Sequence, residues 1–98
     1  MTAAFRECYL AIEGAEIAAA VVRDAARWHW GTFPMVCTFA ALVERDWRTA
    51  QAAMRAVEEA VERGDDGAAC DAANAALHYA AEVEIGLDVL CEALAERC

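Results

Sequence analysis

The sequence predicts an all-α fold: an up-down-up bundle of three long helices, with a second copy completing its apolar surface. Three observations carry that expectation. Apolar residues recur at helical spacing through most of the 98 residues. Alanine accounts for 26 of them, and alanine is the strongest helix former. Two short stretches, 31–34 and 64–67, hold three of the five glycines and the single proline, and they break such a pattern. The closely spaced turn signals of a β-sandwich are missing.

The first helix is expected over 2–30. At 100° per residue, Leu10, Ile17, Val21 and Trp28 fall on one apolar strip. Phe5, Cys8, Ile12, Ala19, Val22 and Ala26 fall on a second, and so wide an arc suits a helix touching two neighbours. Glu7 projects into this arc. Pro34 disfavours helix in the residue before it and suits a first helical turn, which starts the second helix and extends it over 34–63. Its apolar face carries Met35, Phe39, Leu42, Val43, Trp47, Met54, Val57 and Val61, with Asp46 set among them. A buried carboxylate is costly without a partner. Glu7 and Asp46 are therefore expected to meet an arginine such as Arg23 or Arg48, or to border a wet cleft.

Gly64 can close the second helix and the aspartates after it can cap the third, expected over 66–97. There Ala72, Ala76, Tyr79, Val83, Leu87, Leu90 and Leu94 form a core stripe. Each helix should be about 45 Å long. Short connections make sequential helices antiparallel neighbours in one domain over 1–98. Setting the alanines aside leaves 33 apolar residues to fill volume, thin for helices of this length. Hence the expectation of a homodimer.

Composition excludes several classes. There are 17 acids against 8 bases, every base an arginine, and the net charge is −9. A direct nucleic-acid binder needs clustered cations, so none is expected. No serine is present to act as a nucleophile, and no glycine-rich loop could cradle phosphate. Neither His29 nor His78 has a glutamate three residues before it, as a di-iron bundle would require. A non-enzymatic protein without a cofactor is expected. The nearest approach to a metal site is Asp71, His78 and Glu82 on one side of the third helix, and no metal is expected there. The uncharged run 28–43 is too short and broken to cross a bilayer. Arg6, Glu7 and Glu13 interrupt any leader-like apolar stretch. Five cysteines, an odd number without a C-x-x-C pair, suggest reduced thiols in the cytoplasm. Four are expected to pack as small hydrophobes, with Cys98 exposed.

The charge is unevenly spread. Residues 1–64 hold nine acids and seven arginines; residues 65–98 hold eight acids and one. Glu84, Asp88, Glu92 and Glu96 form an i, i+4 ladder, a spacing at which like charges weaken a helix. Ile85 and Val89 lie beside it, with His78 and Glu82 on the same side: an apolar centre with a charged rim, the anatomy of an interface. A carboxylate row about 6 Å apart also approximates the phosphates of a nucleic-acid strand and would attract a basic groove. The expected function is therefore a small acidic inhibitor, antitoxin-like neutraliser or chaperone, of the kind phages and mobile elements encode. It would dock this helix on a basic, nucleic-acid-handling protein. A second patch is the aromatic corner of Trp28, His29, Trp30 and Phe33, since exposed tryptophan is a frequent hot spot. Two alternatives stand beside this: a purely structural homodimer, and a metal- or small-ligand-binding bundle around Glu7, Asp46 and the aromatic corner.

Overall fold

A computed structural model describes residues 3–31 and 34–97. Helix α1 spans Ala3–His29, α2 Val36–Arg63 and α3 Asp66–Arg97. The described chain contains no strand. The protein is an all-α three-helix bundle. Contacts between helices fix its directions: Tyr9 meets Glu58 and Arg23 meets Glu44, so α1 and α2 run antiparallel. Cys8 meets Ala73, and Glu84 lies against Gly14, so α1 and α3 run parallel.

The expected boundaries hold within two residues, for local reasons. Pro34 does not enter α2; it forms the turn before it, where its carbonyl accepts from the Cys37 amide at 3.2 Å. Met35 stands at the N-cap without a side-chain bond. The other connection is capped on both sides. Gly64 adopts φ 73°, a left-handed conformation that glycine takes without steric cost. The amides of Gly64 and Asp65 then reach the carbonyls of Val61 and Ala60 at 3.0 and 2.9 Å. That is the paired closure which satisfies a helix's last carbonyls. One residue on, the Asp65 carboxylate accepts from the Ala68 amide at 3.1 Å and caps α3.

The core divides along the rod. Toward the 64–67 turn, Cys8, Met54, Val57, Ala73 and Ala76 pack together. Toward the other end, Val22, Val36, Val43, Trp47, Val83 and Leu90 interlock around Ala15, Ala18, Ala19, Ala50 and Ala80. Full burial of a valine or leucine contributes about 1.5–3 kcal/mol. Small residues let the axes close up. A Cβ added to Gly86 would stand 2.6 Å from Val43 Cγ2, so α2 and α3 touch there nearly backbone to side chain.

Several expectations are corrected. The strip of Leu10, Ile17, Val21 and Trp28 is left largely uncovered: these residues are 58, 67, 45 and 80% exposed, and Ile17 borders a groove with α3. The alanine-rich arc with Cys8 and Val22 is buried instead, because it admits the closer helix approach. Glu7 lies toward the uncovered side and is exposed. Asp46 is mostly covered, yet its ion-pair partner is the adjacent Arg45 at 3.7 Å. Arg23 and Arg48 both pair with Glu44. Cys8 alone is buried among the described cysteines, whereas Cys37, Cys70 and Cys91 are exposed because they lie off the core stripes. Met35, Leu42 and Val61 of the expected α2 face are also exposed. Cys98 and Phe33 lie outside the described residues.

Candidate interaction surface

The outer face of α3 is built by helical geometry. Its core stripe faces inward, with Ala76, Ala80, Val83 and Leu90 buried. Residues half a turn away must therefore face water. Glu84, Asp88, Glu92 and Glu96 are all exposed, and none makes an ion pair among the described side chains. Ile85 and Val89 are 52 and 42% exposed.

Neighbouring helices divide this face into two grooves. On the α2 side, Ile85, Gly86 and Val89 line a trough with Phe39, Leu42 and Val43. Arg45, Asp46 and Glu82 border it, and its volume is about 270 Å³. Gly86 makes the trough possible, since any side chain there would collide with Val43. On the α1 side, Glu84, Leu87 and Asp88 line a second groove with Gly14, Ile17 and Ala18. The Glu84 carboxylate lies over Gly14, where an added Cβ would be 2.8 Å from Oε1. The ladder thus begins against α1 and winds outward, while Ile85 and Val89 open toward α2. Arg45 at the trough's edge makes that border mixed in charge.

The α2 half of this surface was missed by the sequence reading. Phe39 and Leu42 had been read only as part of the apolar face of α2; Phe39 packs against the core, and both also line the groove. The available signal was Gly86, a lone glycine inside a helix, which often marks a close approach of neighbouring backbone.

The remaining candidates are separately placed. Trp28 and Trp30 are exposed at the bundle's far end beside exposed Met35, and His29 is half-buried. Asp71, His78 and Glu82 share one side of α3, and the His78 ring meets Tyr79 edge-on at 5.1 Å. Among the described residues no three His, Cys, Asp or Glu side chains gather closely enough to hold a metal ion. The groove that Asp46 borders includes neither Glu7 nor Trp28. No described polar side chain is fully buried. Burial and the nearby Glu7 charge push the Cys8 thiol above its usual pKa, so it stays protonated and donates to the Ala73 carbonyl. Burial and the bond to Glu58 likewise raise Tyr9. No described helix is long and apolar enough to cross a membrane.

No family model, curated protein or solved structure matches this chain.

Proposed function

We propose that the protein is a small acidic binding protein without catalytic activity of its own. It docks the outer face of α3 on a basic, nucleic-acid-handling protein partner, as an inhibitor, neutraliser or chaperone would. One observation carries this reading: a row of four exposed carboxylates without internal partners flanks two exposed branched aliphatics beside an apolar trough. Such a row costs the helix stability in isolation, and opposite charge from a partner would relieve that cost. Ile85 and Val89 supply the desolvated centre, and the acids steer the encounter and set its register. Residues 31–63 carry four arginines against five acids, so the field that draws a cationic partner comes from α3. The partner surface is read as cationic because the face presents acceptors and no unpaired cation among its described residues. Residue-level cytoplasmic chemistry fits this reading, since exposed Cys37, Cys70 and Cys91 would be kept as thiols there.

The test is affinity capture from the native host with the wild-type chain and with the triple reversal E84K/D88K/E92K. A partner bound by the first and lost by the second, with capture weakening steeply as salt rises, is the expected result. A partner captured equally by both would end the electrostatic reading.

A further inference from the structure

The side of α1 turned away from the bundle presents Leu10, Ile17, Val21 and Trp28, all exposed. We infer that a second copy of this chain covers it, through an antiparallel α1-to-α1 contact about a twofold axis. The inference does not rest on the α3 reading, although Glu84 and Asp88 border both surfaces.

Spacing is the first ground. Positions 10, 14, 17, 21, 24 and 28 advance by four and three residues in turn, the step of a helix-to-helix seam. Symmetry is the second. In a twofold contact, if one residue meets another across the axis, the reverse must hold as well. The strip obeys this: Leu10 and Trp28 lie equally far from its midpoint, as do Ile17 and Val21, and Gly14 and Asp24. One register therefore sets Leu10 against Trp28 of the second copy and Ile17 against its Val21. The two positions that are not apolar meet each other too, so Asp24 faces Gly14 and the Glu84 carboxylate that lies over it, a like-charge contact at the edge of the seam.

Charge is the third ground, and it selects the antiparallel direction. The row flanking the seam on the side away from α3 is Arg6, Glu13, Ala20 and Arg27, all exposed. The same register brings Glu13 beside Arg27 of the second copy, twice by symmetry, with Ala20 beside its own equivalent. Within one chain neither Glu13 nor Arg27 has an ion-pair partner among the described residues. A parallel contact would set this row beside Ala11, Ala18 and Ala25 of the second copy and leave both charges unpaired. The four exposed side chains offer on the order of 1,000 Å² across a pair, the lower threshold for a specific interface. Glu84 and Asp88 border the seam in both copies. Like charges then face one another across it, so association should tighten as salt rises.

Sedimentation equilibrium of the full chain over a concentration series tests this, with helix content of each variant followed by circular dichroism. A reversible monomer–dimer equilibrium is expected, abolished by I17E/V21E without loss of helix. E13R alone and R27E alone should each weaken the dimer roughly fivefold, as two exposed pairs turn repulsive. The double reversal E13R/R27E should restore it, and an equimolar mixture of the single variants should form the heterodimer. A chain that stays monomeric at every concentration overturns the inference. So does a dimer indifferent to E13R and R27E, because its seam would lie elsewhere or run parallel.

Discussion

At the scale of single residues, two glycines decide how closely the helices can lie, and they differ in what a methyl group would strike. At Gly86 the obstacle is Val43 Cγ2, a buried branched side chain with little freedom. At Gly14 it is the end of the Glu84 side chain, exposed and able to swing aside. Alanine gains about 0.8–1.0 kcal/mol of helix propensity over glycine at either position. Overpacking typically costs about 1–3 kcal/mol. G86A should therefore lower stability by about 1–2 kcal/mol in urea unfolding, while G14A should raise it by up to about 1 kcal/mol. Equal effects at the two sites would mean that Gly86 is not a true contact. The cysteines show how far residue-level reading reached. Burial is common for cysteine as a type, yet Cys70 falls on the acidic side of its helix, and position outweighed type.

At the scale of elements, the turn at Gly64 and Asp65 does two jobs in two residues. It closes α2 through backbone amides and opens α3 through one carboxylate. D65A should cost about 1 kcal/mol, the usual loss of a side-chain cap. D65N, which keeps an accepting oxygen, should cost much less; thermal unfolding of the two variants separates the cap from a charge effect. Helix positions were legible in the sequence because the interruptions are chemically unambiguous: proline before α2, glycine and aspartate between α2 and α3. The buried face of α1 was not. Its two apolar arcs weigh about the same on a helical wheel, and the wheel cannot express how near a neighbour can come. Ala15, Ala18 and Ala19 admit the closer approach, so the arc with smaller side chains is inside and Ile17 and Trp28 are outside. Glu7 was misplaced by the same error. The α3 acids were legible because a ladder of that regularity needs only periodicity. Phe39 and Leu42 were not, because a groove belongs to two helices at once.

At the scale of the whole molecule, the excess negative charge lies on one of three sides. Screening should therefore stabilise the fold, with α3 gaining most. Urea midpoints should rise between low salt and about 0.5 M sodium chloride. The increase should be largely absent in E84K/D88K/E92K, where the ladder is broken. A midpoint that rises equally in both would place the strain elsewhere. The shape matters as well. The bundle measures 51 × 19 × 15 Å, and its radius of gyration, 15.4 Å, exceeds the roughly 13 Å of a compact chain of this size.

Such proportions leave only one row of side chains between any helix and water. They also make the molecule a strut. Three helices packed along their whole length resist bending together, so the tryptophan end and the Gly64 end are held at a fixed separation and a fixed angle. Whatever grips one side of it is given a straight edge about nine helical turns long.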